Sequence, residues 1–266
     1  MIILIHSSKT MRPPSATLGD GALGVPALLE QSTELITYLR TLSDDQLGRM
    51  MAVSAELAAR TKQQYAEWSA EPQRQSPAAA TFVGDIYSGL QVDALSAADR
   101  AHADRRLRIL SGLYGILRPF DGVCPYRLEM GYRLPAAPYA NLYRFWAGSI
   151  AERLPAAGRI VNLAANEYSK AVLPHVDAVR VVTPRFLTVD PASGKPKFVV
   201  VHAKIARGAF ARWLVCRRVA DAADPVGALR GFDDIGYRYD EASSTPAEPT
   251  FICQEFGGKG LSVRLT

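Results

Sequence analysis

Cysteine is scarce: Cys124, Cys216 and Cys253 are the three in 266 residues, far apart and odd in number. That excludes a disulfide framework and a paired-cysteine zinc knuckle, and it suits a reducing compartment. The four histidines, His6, His102, His175 and His202, lack metal-ligand spacing, and neither HExxH nor GxSxG occurs. Zinc-hydrolase and nucleophile-elbow chemistry are thereby left without support, and no metal or cofactor is expected. No hydrophobic run approaches a membrane span, and the apolar start Met1–Ile5 is too short for a signal peptide's hydrophobic region. The expectation is a cytoplasmic protein with no membrane partner. Internal repeats and low-complexity segments are absent as well.

What remains is ordinary in bulk and unusual in detail. Hydrophobic residues make up 48% and charged residues 21%, enough for a real core. The net charge of +5 is mildly basic, compatible with nucleic acid or another anionic partner and with many enzymes. Ile2–Ile5 reads as a buried strand opening into the polar loop His6-Ser7-Ser8-Lys9-Thr10. Met11–Gly24 reads as loop and Pro26–Leu42 as an amphipathic helix. A second helix enters through Ser43, with Gln46 at capping-box spacing, and runs to about Trp68. After the connector Pro72–Ala80, further helices are expected over Ala97–Leu110, Asn141–Leu154 and Ala203–Val219. Strands are expected over Arg159–Leu163, Val179–Val189 and Lys197–His202, the last two joined by the turn signal Asp190-Pro191-Ala192-Ser193-Gly194. Gly231–Ser244 and Thr250–Phe256 close the chain as turn and strand. This order predicts a mixed α/β (α+β) fold rather than tandem βαβ units.

The stretch Leu110–Gly131, LSGLYGILRPFDGVCPYRLEMG, is too rich in Gly and Pro for a plain helix or strand, and too apolar for a linker. Its charges must find partners or face a cleft. Arg105, Arg106 and Arg108, followed by Gly112 and Gly115, have the outline of a helix-hairpin-helix, whose backbone N–H groups and nearby arginines would meet DNA phosphates without reading bases. Pro119 argues against it, because it disfavours helical geometry at Arg118. Arg127 and Glu129, two apart, share a face if extended; they are either a structural ion pair or a substrate-orienting pair with an acid/base.

Other polar clusters fall at element ends. Lys9 follows the first strand without the glycines of a P-loop, so it is either a surface lysine or an anion contact. Gly84-Asp85-Ile86-Tyr87 is either a capped turn or a ligand contact. Asn162, Glu167, Tyr168 and Lys170 sit at a strand-to-helix junction, and Lys204 and Arg207 form a basic i, i+3 pair. His6 and His202 each fall at an expected strand end, where core or surface roles are the plainer account. So many polar clusters at element ends favour one shared cleft. In it Lys9, Arg127 and Lys204 would hold an anion, Glu129 or Glu167 would act as general acid/base, and Tyr87 or Tyr168 would position the substrate.

These motifs resemble the YaaA family of peroxide-stress proteins. The likeness runs through Lys9-Thr10, FVGDIYSGL at 82–90, the 110–131 block, Leu142–Trp146, NLAANEYSK at 162–170, Lys204-Ile205-Ala206-Arg207-Gly208 and GYRYDEASS at 236–244. It implies a single domain over 1–266, a mixed sheet flanked by helices, and a positively charged cleft. It also implies binding of double-stranded or distorted DNA through a helix-hairpin-helix-like element, and protection from hydrogen peroxide by limiting free iron. Lys9, Asp85, Tyr87, Arg118, Arg127, Glu129, Asn162, Glu167, Lys170, Lys204 and Arg207 fall on its motifs. One departure is chemical: His6 puts a titratable ring where members of the family usually carry a hydroxyl.

Overall fold

The computed structural model describes residues 1–13, 22–135, 137–258 and 260–261. Ile2–His6 is the central strand of a five-stranded sheet, and all five of its residues are buried. A short aliphatic run buried on both faces belongs in a parallel sheet. It pairs in parallel with Leu107–Ser111 on one side and Ile160–Asn162 on the other. Gly115–Leu117 closes one edge antiparallel, and Val181–Val182 the other edge in parallel.

A second sheet has four strands in the order Pro196–Lys197, Arg185–Val189, Thr250–Cys253, Tyr237–Tyr239. Its core is aromatic: Phe186 stacks on Phe251 at 5.5 Å, and Phe210 and Phe232 meet Phe186 edge-on. The long helix Val200–Cys216 supplies Phe210 and packs against both Arg185–Val189 and Ile2–His6. The same helix lies along Asp85–Leu90, and two glycines set the distance. A Cβ on Gly89 would stand 2.1 Å from the Ile205 carbonyl oxygen, and one on Gly208 would stand 1.8 Å from that of Ile86. Backbone touches backbone there, which no other residue type allows.

The mixed α/β class is as the sequence predicts, and several boundaries differ for local reasons. The Ser43 capping box forms, Ser43 N–H donating to Gln46 Oε1 at 2.8 Å, but its helix ends at Met51. Ala52 turns left-handed, with φ 52°, and a new helix, Ala55–Glu67, starts from a Ser54 cap. Asn141–Leu154 is likewise two short helices, Leu142–Trp146 and Ser149–Glu152. The strand expected over Lys197–His202 stops at Lys197, and the helix begins at Val200. Of the expected loop Met11–Gly24, residues 14–21 lie outside the described residues.

The largest difference concerns the helix-hairpin-helix. The first helix, Ala97–Arg106, hands over directly to the strand Leu107–Ser111, which turns through Gly112–Tyr114 into the strand Gly115–Leu117. This is a β-hairpin inside the sheet, with no second helix. Gly112 is covered: a Cβ there would sit 2.3 Å from the Leu128 carbonyl oxygen, and Trp146 Nε1–H donates to the Gly112 carbonyl at 3.0 Å. Tertiary pairing with Ile2–His6 overrode the helical reading of 107–110.

Candidate functional site

A cleft of about 400 Å³ opens where the polypeptide leaves two neighbouring parallel strands. In open parallel sheets the carboxyl ends of strands are where loops can gather polar groups without breaking the ladder. Ser7, Ser8 and Lys9 follow the strand Ile2–His6, and Ala165, Glu167 and Tyr168 follow Ile160–Asn162. Thr10–Met11 pairs with Phe82–Val83, which brings the Lys9 loop beside Gly84 and Asp85. Ser8 Oγ–H strengthens that junction by donating to the Val83 carbonyl. Glu129 comes from the irregular 110–131 stretch, and Lys204 from the long helix.

The irregular stretch is held by tyrosines rather than by a ladder. Tyr114 Oη accepts from Trp68 Nε1 at 2.7 Å and from Cys124 N at 3.0 Å. Ser111 Oγ and Tyr126 Oη share a hydrogen bond of 2.7 Å, and Tyr65 Oη–H donates to the Arg127 carbonyl. These buried bonds satisfy backbone groups that a turn-rich segment would otherwise leave bare, and they fix Glu129 at the cleft wall.

Within the cleft, Lys9 Nζ donates to Glu129 Oε2 at 2.8 Å, with Lys9 56% exposed and Glu129 14%. Tyr132 Oη–H donates to the same oxygen at 2.8 Å. Glu167 Oε1 accepts the Gly131 amide hydrogen at 2.8 Å, so the two glutamates are tied to the same turn. Tyr87 Oη–H donates to the His6 carbonyl at 3.0 Å, making it a brace for the strand end. The His6 ring stacks on Tyr168 with centroids 4.9 Å apart, and its Nδ1 accepts from Ala165 N at 3.1 Å.

Electrostatics divide these groups by role. Burial, with Arg207 and Lys204 nearby, brings the His6 ring down to about 3, so it is uncharged at neutral pH. Burial raises the Tyr87 and Tyr168 phenols well above their ordinary range, and the charges of Glu129 and Glu167 push Tyr168 the same way. Both tyrosines are therefore hydrogen-bond groups and not anions. Two lysines face three carboxylates in the described lining, Lys9 and Lys204 against Asp85, Glu129 and Glu167. The described lining carries both signs of charge.

Seven residues singled out from sequence thus meet in one cleft: Lys9, Asp85, Tyr87, Glu129, Glu167, Tyr168 and Lys204. Arg207 lies one turn beyond Lys204 and acts on His6 through space. Others stand apart. Arg127 lies outside the lining, and its Nε is buried without a hydrogen-bond partner. Asn162 works as a structural clamp, its Oδ1 accepting from Ala164 N at 3.2 Å and its Nδ2 donating to Thr183 at 3.4 Å. Lys170 is exposed at the end of its short helix.

The residues assigned to DNA lie elsewhere. Arg106 pairs with Asp221 at 2.8 Å, and Arg118 with Asp121 at 3.1 Å and Asp104 at 3.5 Å. Arg108 Nη1 donates to the carbonyls of Asp104 and Leu107, Gly112 and Gly115 are buried, and Arg105 is exposed. His202 is in the first turn of the long helix, stacked on Phe256 at 3.9 Å, and does not meet His6. Ser7, Ser8 and His6 also line the cleft, and the signal for them in the sequence is their place just before Lys9 at the end of a buried strand. Among the described residues no three His, Cys, Asp or Glu side chains group as a metal site. No helix among them is long and apolar enough to cross a membrane.

Residues 1–243 match the family model described as peroxide stress protein YaaA. A UPF0246 protein of Salinispora tropica is 61% identical over 264 residues, covering 99% of this chain and 98% of that one. UPF0246 proteins of Ruegeria sp. and Shewanella halifaxensis are 39% and 38% identical, each covering 95% of this chain and 99% and 98% of theirs. Matches of that identity and coverage settle kinship where the cleft alone could not: the chain belongs to the YaaA family of peroxide-stress proteins, the UPF0246 proteins.

Proposed function

We propose that this peroxide-stress protein works through its cleft, as an enzyme or sensor for a small anionic, nucleotide-like or similarly polar metabolite. One observation carries the reading. Glu129, paired with Lys9 at 2.8 Å, shares a cleft of small-molecule size with Glu167, Tyr168 and the neutral His6. Carboxylates repel a phosphate backbone, so their concentration here favours a ligand that needs a proton moved or an N–H accepted. Glu129 is the general acid/base, Lys9 holds its charge, and Glu167 positions the reacting part. Protection from peroxide, including any limit on iron-driven damage, would follow from turnover or sensing of that metabolite.

The test is a thermal-shift screen of nucleotides and anionic metabolites, followed by turnover assays on each hit. Glu129→Gln should abolish turnover, by about a hundredfold or more, while the fold and much of the binding persist. Hits that Glu129→Gln, Lys9→Met and Glu167→Gln all leave untouched would overturn the reading.

DNA binding is the second reading. The net charge of +5 and the long helix carrying Lys204, Arg207 and Arg212 without an acidic residue favour it. It requires duplex affinity that falls steeply with salt and drops on removing exposed arginines such as Arg105. Salt-sensitive duplex binding together with an empty metabolite screen would put this reading first.

A further inference from the structure

The small-molecule reading leaves open where in the cleft the ligand's negative charge sits, and His6 marks the place. Its Nδ1 accepts the Ala165 hydrogen, and a nitrogen that accepts carries no proton, so the neutral ring holds its hydrogen on Nε2. Among the described residues no group accepts from Nε2, yet that atom is not sealed off, as the unpartnered Nε2 of His102 is. The ring, 9% exposed and pinned against Tyr168, presents its free N–H edge to the cleft.

Two cations stand beside it. Lys204 lines the cleft and Arg207 follows one turn later on the same helix face. Burial lowers the proton affinity of the Arg207 guanidinium, and among the described residues no carboxylate pairs with it. A half-buried guanidinium without a counter-charge is costly in an isolated protein and useful when a ligand brings the anion. The glycine contact between Asp85–Leu90 and Val200–Cys216 fixes both cations relative to the strand end.

We propose that His6 Nε2–H, Lys204 and Arg207 form an oxyanion subsite that seats the carboxylate or phosphoryl group of the metabolite. His6 is its fixed, uncharged donor: it positions the ligand and transfers no proton. This rests on the small-molecule reading and adds the groups beside the end of Ile2–His6 that seat the anion. Tyr168 stacks on the ring and the two cations act on it, while Asp85, Tyr87 and Glu167 line the same cleft. Burial and the two cations keep His6 neutral across the physiological range in the unliganded protein.

The experiment is nitrogen-15 NMR of the histidine side chains during separate titrations with sodium phosphate and sodium acetate, with sodium chloride as the ionic-strength control. His6 should show the Nε2–H tautomer and no titration between about pH 5.5 and 8. One or both oxyanions should shift its Nε2 signal, and which one does so identifies the headgroup. Arg207→Met should weaken that response about tenfold. His6→Phe, which keeps a ring against Tyr168, should weaken screened-ligand binding several-fold, and His6→Gln, which restores an N–H, should recover part of it. Circular dichroism checks that each variant is folded.

A His6 imidazolium in that pH range, or shifts that chloride reproduces, would overturn the subsite. So would equal oxyanion responses in the native protein and Arg207→Met. A screened metabolite that needs Glu129 but binds equally to native protein, Arg207→Met and His6→Phe would remove the subsite and leave the small-molecule reading standing. If no metabolite binds and neither oxyanion moves His6, both fall together.

Discussion

Two regions of this chain look alike on paper and behave oppositely when folded. The arginines of 100–118 and the polar groups around Lys9, Glu129 and Lys204 both read as binding sites. In the first region most charges are already used: Arg106 on Asp221, Arg118 on Asp104 and Asp121, Arg108 on backbone carbonyls. In the second, Lys204 and the Nε2–H of His6 face an opening, and Lys9 is more than half exposed. A charge count measures neither availability nor geometry. Groups face a cleft where the fold brings strand ends together and leaves some of what they carry, such as His6 Nε2, without a partner among the described residues.

Substitutions can sharpen that contrast, and the largest effect belongs to the joint on which the cleft depends. Gly208→Ala would press a methyl into the Ile86 carbonyl, 1.8 Å away, and should cost about 3 kcal/mol or more in chemical denaturation, or prevent folding. In the closed region, Asp121→Ala would strip a buried carboxylate from the Arg118 amide, 2.7 Å away, and from its guanidinium. A loss of about 2–3 kcal/mol is expected, with Arg118 partly exposed and so partly rescued by water. If Asp121→Ala proved harmless, the claim that this region is committed to structure would fail.

Acid should expose His6 next. In the unfolded chain an ordinary histidine takes up a proton near pH 6.5, whereas the folded protein holds His6 neutral down to about 3. Between those values the unfolded state binds more protons, so stability falls as pH falls, by at most about 1.4 kcal/mol per unit. Above pH 6.5 the effect vanishes. Subtracting the stability curve of His6→Gln from that of the native protein over this window should reveal the slope, and parallel curves would mean that the ring protonates freely.

The smallest effects separate the two regions most cleanly. Lys9→Met and Arg105→Ala should each change stability by under about 1 kcal/mol, since exposed charges contribute little. Lys9→Met should nevertheless impair ligand binding, and Arg105→Ala should not. The reverse pattern, measured on the same screened ligand, would move the site to the arginine-rich helix.

Much of the cleft was legible because its residues sit at element ends, where polar side chains after a buried strand have no core to join. Lys9 after Ile2–His6 and Glu167-Tyr168 after Ile160–Asn162 are of that kind. The Ser43 box and the turn at Asp190–Gly194 were legible because capping and turn chemistry are local; Gly194 N–H donates to Asp190 O at 2.8 Å. The strand Leu107–Ser111 was not, since Arg108-Ile109-Leu110 continues a helical pattern and only pairing with Ile3–His6 makes it extended. Nor could the sequence show that Asn162 would turn to Thr183, or that Arg127 would lie outside the cleft while Glu129 faced into it. Those are decisions of register and twist.

The bare-backbone seam between Gly89 and Gly208 has one more consequence. Most pockets adapt when bulky side chains between their walls swing aside; a seam with no side chains has nothing to swing. The two helices that carry Asp85 and Lys204 into the cleft are therefore held at a set spacing. Chemistry can be exchanged at the rim, a ring for a hydroxyl at His6 or one cation for another at Lys204, while the frame holds. A frame of that kind lends itself to a lineage of related proteins that share a mould and differ in what they pour into it.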